Sequence, residues 1–426
     1  MLFPLRLPIP EDVLEIAKTL EHAGFEAWCV GGAVRDTLLG EANSDFDIAT
    51  SAVPEKVREL FRHTVPVGER FGTIAVRTRR RHHEVTTFRH DVTTDGRHAV
   101  VAFGASLDDD LARRDFTINA IAYHPLRHEW RDPFAGAQDL ERRLLRAVGV
   151  AGDRFREDYL RILRGLRFAA RFGFAIEDET WNAMRRNADG LRQLSAERVR
   201  DEWFKGLRTA GSIPELVRLW WESGAAAVWI PELVRQVGAG VPAATTEGSP
   251  GVSSAGRTDS LSGGIGTVTG TRASGEPRDP VLLTTLLCLV PVTVLARLRA
   301  SNAEIGRAAS MLAGPSEPES PAPIAVRRWL AAVGGAADDL IFLWTMRHGI
   351  PPVWATMVAE IRHRGDPLTR KSLAVNGADL QAAGIPAGPE LGTLLDRLLS
   401  LVVEDPSLNT RETLLARSHT LRESRG

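Results

Sequence analysis

At 426 residues, with 43% hydrophobic and 25% charged residues, the chain has the composition of an ordinary globular protein and room for two to four domains, each with its own core. The formal net charge of −1 gives no hint of a nucleic-acid partner, although the basic residues cluster and only four are lysine. Arginine suits bidentate phosphate and base contacts, and a GC-rich genome favours it equally. The two cysteines, Cys29 and Cys288, lie in apolar runs and read as buried thiols, which excludes a disulfide framework or a metal knuckle. No charged-then-apolar leader opens the chain and no apolar run approaches membrane-spanning length, so a cytoplasmic protein without a membrane partner is expected.

In chain order, Ile9 to Gly24 reads as an amphipathic helix with Val13, Ile16, Ala17 and Leu20 on one side. Ala27–Val30 reads as a short buried strand, followed by the turn Gly31-Gly32, where backbone can approach a ligand closely. A helix from Ala33 to Leu39 stops at Gly40. A glycine turn opening a helix presents free N–H groups and a positive dipole end, which suits phosphate. Arg35, in the first turn, adds a fork for phosphate oxygens. The next strand, Asp45 to Ala49, alternates, with Asp45 and Asp47 on one face and Phe46 and Ile48 toward the core. Two carboxylates side by side repel each other unless a cation sits between them, so this pair reads as a divalent-metal site beside a phosphate cradle.

Pro54 opens a helix through Phe61, with Val57, Leu60 and Phe61 inward. Phe71–Val76 and Glu84–Phe88 read as a hairpin across the basic turn Arg77–Arg81, and Glu84 shares a face with Thr86 and Phe88. Glu84 is thereby a candidate third ligand or base. Residues 90–106 carry turn residues and read as a loop or irregular hairpin. Asp108 to Asp115 packs acids with Arg113 and Arg114; it is either a solvated helix face or a segment folding Arg113, Arg114 and Asp115 back on a nucleotide. Phe116 to Tyr123 is apolar and reads as buried.

From Asp139 strand signals disappear. Phe155 to Phe172 reads as one helix with Tyr159, Ile162, Leu163, Leu166 and Ala170 as its buried stripe. Asp158 and Arg161, three apart, would be neighbours on its surface, as a salt bridge or as paired ligand contacts, and Arg164 and Arg167 continue around it. Ser195 is the expected N-cap of a helix to Leu207. Residues 237–280 are rich in Gly, Ser, Thr, Ala and Pro and read as a flexible insertion. Further helices are expected from Asp279 to Arg299, over 323–349 and 354–363, and in a tail whose Leu391, Leu394, Leu395, Leu398 and Leu399 form a stripe. The fold class is therefore α+β, a mixed head followed by an all-helical remainder.

Four segments in order carry a family resemblance. GGAVRD with SDFDIAT, LARRDFTINA at 111–120, EDYLRILR at 157–164 and LSAERVRDE at 194–202 resemble motifs A, B, D and E of the class II tRNA nucleotidyltransferases and bacterial poly(A) polymerases. The resemblance implies a polymerase-β-like nucleotidyltransferase head with a mixed sheet (1–145), then a helical neck (146–207), body (208–365) and tail (366–426). It implies that Asp45 and Asp47 bind Mg²⁺, that Glu84 takes the third carboxylate position, and that Gly31, Gly32, Arg35 and one or both of Arg113 and Arg114 contact the nucleotide, with Asp115 near its ribose. It also implies template-independent addition of CCA to tRNA from CTP and ATP, with the tail on the tRNA acceptor and TΨC region.

Motif D then has a physical reading. An ionised Asp only accepts hydrogen bonds and an Arg only donates them. Cytosine and adenine each offer an amino donor beside a ring-nitrogen acceptor, so Asp158 and Arg161 can serve both, with Arg164 and Arg167 alongside. Uracil and guanine present the opposite pattern and are repelled. Within the family, CC-only adders lack a loop between motifs A and B, which residues 90–106 nearly suffice to supply; this favours CCA or A-only addition. Poly(A) polymerase fits less well, because Val67 to Thr73 lacks the doubly basic segment of that branch. Where relatives carry a His-Asp phosphohydrolase signature, Cys288 and Leu289 stand instead.

Overall fold

The computed structural model describes residues 3–41, 45–68, 72–78, 81–94, 99–235 and 278–423. Nearly all of the Gly/Ser-rich segment 237–280 lies outside them. The described chain forms two compact units, one of residues up to 235 with 278–280 and 297–299, the other of 281–296 and 300–423.

The first unit opens with α1 (Glu11–His22), which buries Val13, Ile16, Ala17 and Leu20 as its periodicity requires and places Glu11 and Asp12 at the positive end of its dipole. Strand β1 (Ala27–Val30) is buried throughout. It is followed by α2 (Gly32–Leu38), β2 (Asp47–Thr50), α3 (Pro54–Leu60) and β3 (Thr64–Gly68), then β4 (Thr73–Arg77) and β5 (His82–Thr87). The ladder of β2 begins at Asp47, so Asp45 lies just ahead of it. In α3 only Pro54 and Val57 are fully buried; Leu60 and Phe61 are half-buried. Strand β3 was not legible in the sequence.

Next come β6 (Arg89–Thr94) and β7 (Ala99–Phe103), a separate two-stranded hairpin, and α4 (Leu107–Ala112). After β8 (Ala122–His124), β9 (Glu129–Arg131) and α5 (Gly136–Glu141), the head sheet is complete in the order β3-β4-β5-β2-β1-β8-β9. Every pairing is antiparallel except β2 with β5. Period-2 alternation gives this sheet two faces. Ile48, Val85 and Ile74 stand in register on one face, all buried, while Ala75 and Glu84 stand abreast on the other, where Asp47 also points.

Strand character does not end at Asp139. Strands β10 (Leu144–Leu145) and β11 (Ala175–Ile176) pair in parallel around two helices, α6 (Ala151–Glu157) and α7 (Leu160–Phe172). The expected single helix over 155–172 is thus broken. Asp158 is extended (φ −155°, ψ 106°), and its Oδ1 accepts the Leu160 N–H at 3.0 Å, a local bond that competes with the helical ladder. The unit finishes with α8 (Asp178–Arg186), α9 (Ala196–Thr209), α10 (Ile213–Glu222) and α11 (Ala225–Trp229), α9 being capped by Ser195 as expected.

Beyond residue 278 the described chain is helical: α12 (Pro280–Leu287), α13 (Pro291–Arg297), α14 (Asn302–Leu312), α15 (Pro323–Val333), α16 (Ala337–His348), α17 (Ala355–Arg364), α18 (Gly377–Ala382), α19 (Pro389–Glu404) and α20 (Arg411–Glu423). The run expected over 279–299 is two helices, with Pro291 opening the second. The leucine stripe of α19 is partly as read, with Leu394 and Leu398 buried and Leu391, Leu395 and Leu399 packed half-buried around them. The stretch Pro323–His348 is, by length and composition, apolar enough to cross a membrane (mean hydropathy 1.2), contrary to the sequence reading. It is interrupted by a 3-10 turn at Gly334–Ala336, and Arg327 within it is buried and donates to the carbonyls of Val403 and Glu404, the packing of a core helix.

Gly165, a weak helix former in mid-helix, has a packing reason. A Cβ there would lie 2.3 Å from Met184 Cε and 2.8 Å from Phe116 Cζ, both fully buried side chains. Helix propensity alone predicts that Gly165→Ala stabilises by about 1 kcal/mol. Overpacking of this kind costs about 1–3 kcal/mol. We expect a net loss of about 1 kcal/mol in denaturant unfolding; a gain would mean that α7 does not depend on this close approach.

Candidate active site

The turn between β1 and α2 sets the site. Gly31 has φ +77°, a conformation that L side chains rarely adopt, and a Cβ on it would come 3.2 Å from Arg114 Nη1 and 3.5 Å from Asp47 Oδ2. Glycine is therefore what lets the backbone, an arginine and a carboxylate meet. Asp45 and Asp47 are exposed while Phe46 and Ile48 are buried, as the alternation requires. Because Ile48 pairs with Val85 in a parallel register, Asp47 stands abreast of Glu84. Burial of the Asp47 carboxyl, with Glu84 and Asp45 adding negative charge against the opposing Arg114, raises its pKa to about 6. The side chain is open to solvent on its outer face, which tempers the shift without changing its direction. The structure thus brings Asp45, Asp47 and Glu84 together around one cavity.

Beside Asp47 lies a second cavity, of about 570 Å³, lined by Gly31, Gly32 and eight arginines. Each arginine has a carboxylate partner. Arg113 and Arg114 both reach buried Asp110, at 3.0 and 3.2 Å. Arg164 Nε donates to Asp115 at 2.7 Å, and Arg167 Nε to Glu202 at 2.6 Å. Arg35, only 4% exposed, is paired with Asp36 and donates to Asn119, and Arg171 reaches Asp36 and Glu41. Arg35 therefore forms part of the cavity wall with its fork already engaged, rather than standing open in the first turn of α2.

Aromatic faces complete the support. The guanidinium groups of Arg35, Arg164 and Arg167 lie 4.9, 5.4 and 4.2 Å from the centre of the Phe168 ring, within cation–π range. Asp115 is 7% exposed, and its oxygens accept from the Phe116 N–H, the Asn119 amide and Arg164. Burial alone would raise its pKa; Arg164, Asn119 and Arg161 outweigh that and hold it near 2. Asp115 is thus an ionised anchor for the arginines as well as a residue of the cavity wall. Of the segment Asp108–Asp115, Arg113, Arg114 and Asp115 line the cavity, whereas Asp108 pairs with Arg131 outside it.

Asp158 and Arg161 both line this cavity but do not form the surface pair their spacing suggested. With the helix broken between them, Asp158 Oδ2 accepts from Arg198 at 2.8 Å. Arg161 donates to Glu157 at 2.7 Å and to the carbonyls of Arg113 and Arg154. Each is therefore paired with another charged group and not with the other. Arg171, Arg198, Asn119 and Phe168 were missed as site residues. Arg198 falls inside the LSAERVRDE segment and Asn119 inside LARRDFTINA, so the motif boundaries carried that signal; Phe168 lay within the expected 155–172 helix but outside the stripe read there.

Residues 27–146 match the family described as the poly A polymerase head domain, and residues 173–236 match one described as a probable RNA and SrmB binding site of polymerase A. CCA-adding enzymes of Streptococcus mutans and Geobacillus kaustophilus are 48% and 47% identical over 200 and 197 residues, 46% of this chain in each case. The matched region spans about half the length of these curated relatives, 50% and 48%. The crystal structure of the Bacillus stearothermophilus CCA-adding enzyme in complex with CTP superposes with a TM-score of 0.74 at 32% identity, covering 97% of this chain and 98% of that one. The fold is also that of the Thermotoga maritima CCA-adding enzyme (TM-score 0.61, 18% identity, 97% and 96% covered). With sheet, arginine cavity and full-length likeness in agreement, the chain belongs to the family of CCA-adding enzymes.

Proposed function

We propose that this chain is a tRNA nucleotidyltransferase that adds C, C and A in turn to the tRNA 3′ end, using CTP and ATP and releasing pyrophosphate. The observation that carries this reading is the joining, at Asp47, of a carboxylate face and an eight-arginine cavity with Asp158 and Arg161 on its wall. A triphosphate is a compact polyanion, and arginine forks match its oxygens bidentately. Names of relatives agree, and the Bacillus stearothermophilus enzyme was solved with CTP.

Asp45 and Asp47 fit a divalent cation, because the crowding of like charge that raises the pKa of Asp47 is relieved by one. Among the described residues no three His, Cys, Asp or Glu side chains form a ready-made cage. Mg²⁺ is commonly held by one or two carboxylates together with substrate phosphates. When bound, it would act as a Lewis acid that lowers the pKa of the RNA 3′-hydroxyl and clamps the triphosphate. The arginines hold the phosphates in register, Gly31 and Gly32 let them approach the backbone, and Glu84 supports the carboxylate face. Asp158 accepts from the amino group of cytosine or adenine while Arg161 donates to the adjacent ring nitrogen, with Arg164 and Arg167 fixing the floor. The β6–β7 hairpin occupies the stretch absent from CC-only adders, in favour of a terminal A. Residues 1–145 would act as head, 146–207 as neck, 208–365 as body, and 366–426 as a tail on the tRNA acceptor and TΨC region.

Two predictions test this reading. Asp45→Ala and Asp47→Ala should each abolish addition to tRNA lacking CCA while leaving tRNA affinity near that of the parent. The parent should also melt higher with Mg²⁺ at pH 8. Asp47 has a folded pKa raised from 3.8 to about 6. In the absence of metal it therefore takes up a proton on the folded protein first, and stability falls as pH rises from about 4 to 6. Mg²⁺ must displace that proton, so its stabilisation should fade as pH drops through about 6 and be absent in Asp47→Ala. A pH-independent Mg²⁺ shift would remove Asp47 from the site.

The second separates selection from chemistry. In the double variant Asp158→Ala with Arg161→Ala, the contacts to cytosine and adenine and the repulsion of uracil and guanine both disappear. A lost bidentate contact is worth roughly 1–3 kcal/mol. At about 1.4 kcal/mol per tenfold, the preference for CTP and ATP should fall by roughly 10- to 100-fold in single-nucleotide incorporation assays, with transfer surviving at reduced rate. Undiminished rejection of UTP and GTP would place base reading elsewhere.

A further inference from the structure

The two cavities that meet at Asp47 differ in chemistry, and the nucleotide accounts for only one. The cavity of about 380 Å³ on the sheet face is lined by the three carboxylates, by Val65, Val67 and Ala75, and by His82. Among the described residues no arginine lines it. A triphosphate placed there would meet negative charge without compensation, whereas a nucleoside end with a single flanking phosphodiester would not.

Register explains why the apolar residues are there. Val65 pairs with Ala75, and Ala75 with Glu84, so these side chains form a row that continues to Asp47. Val65 and Val67 are 47% and 58% exposed. A single exposed valine needs no explanation, but Val65 in the row with the carboxylates and Val67 two positions further along β3, both on the same cavity, form a shelf. Strand β3 is the sheet edge, Pro66 withholds an N–H from further pairing, and the register shifts between Pro66 and Gly68. Such bulges re-aim side chains beside active sites.

We infer that Val65, Val67, Ala75 and His82 form the seat of the RNA acceptor's 3′-terminal nucleoside, placing its hydroxyl at Asp45 and Asp47. This rests on the proposed nucleotidyl transfer. Each round of addition presents a different terminal base, so the seat must tolerate several. Apolar and imidazole surfaces achieve this because every base has a face to pack, while a hydrogen-bonding seat would reject some.

The test uses tRNA lacking CCA, with and without 4-thiouridine as its terminal nucleotide. On irradiation of the unaltered protein with the thiolated RNA, adducts should map by mass spectrometry to β3, β4 or His82 at the start of β5; adducts only elsewhere in the chain overturn the seat. In steady-state incorporation of C, Val65→Glu and Val67→Glu should raise the KM for tRNA about tenfold and leave the KM for CTP within twofold. A raised KM for CTP with an unchanged KM for tRNA would make the shelf part of the nucleotide site, and no change in either would leave it without a role; both overturn the inference. If the parent incorporates no nucleotide into tRNA, the functional reading fails and takes this seat with it. If the parent incorporates normally, a negative result bears on the seat alone.

Discussion

Crowding eight guanidinium groups around one cavity is the constraint that shapes the first unit. Unopposed, their repulsion in a partly buried space would be prohibitive, since unit charges a few ångströms apart interact by several kcal/mol at an effective dielectric near 20. The chain answers with carboxylates set behind the arginines: Asp36, Asp110, Asp115 and Glu202, all nearly inaccessible to solvent. Each is costly to bury alone and is tolerated because an arginine meets it. Phe168 adds a face on which three of the cations rest. The result is a cradle whose shape is fixed before any anion arrives, so less ordering remains to be done on binding.

That arrangement depends on bringing α7 close to the head. Gly165 lets the helix meet Phe116, and Arg164 then reaches Asp115 in the adjoining residue position of the chain. Arg167 is turned toward Glu202 of α9. One helix thereby joins an anchor in the head to an anchor in α9, and its exposed edge supplies the cavity wall. A sequence scale that scores Gly165 as a defect and Arg167 as a surface charge misses both, because their value lies in partners that are distant along the chain.

The carboxylate face was legible because its signals are local. Alternation across Asp45–Ile48 and a glycine pair opening a helix need no tertiary information, and both recur in the structure with Asp47 beside Gly31. The break at Asp158 was not legible by periodicity, since the apolar stripe runs straight through it. A local side-chain bond from Leu160 decides it, in competition with the ladder. Strand β3 escaped for the opposite reason: Thr64 to Gly68 is exposed, contains proline and is bulged, so it lacks the pattern of a buried strand and exists by pairing with β4. The pairing of Asp158 with Arg198, 40 residues away, follows from that break and no spacing rule could supply it, whereas Arg161 with Glu157 has the ordinary four-residue spacing.

On the function proposed above, the partners of Asp158 and Arg161 also bear on how a fixed pair would choose between bases. Both groups are already satisfied by protein, Asp158 by Arg198 and Arg161 by Glu157. An incoming base gains only the difference between its contacts and those it displaces or joins. For cytosine or adenine that exchange replaces one charge-assisted bond by another and is close to balanced. For uracil or guanine the carboxylate would face an oxygen and the guanidinium an N–H, so existing bonds would be given up for repulsion. Discrimination in such a site arises from what the wrong base forfeits more than from what the right base gains, and it is compatible with modest affinity for the right one. The break between α6 and α7 is the feature that turns Asp158 toward Arg198 and Arg161 toward Glu157 instead of toward each other.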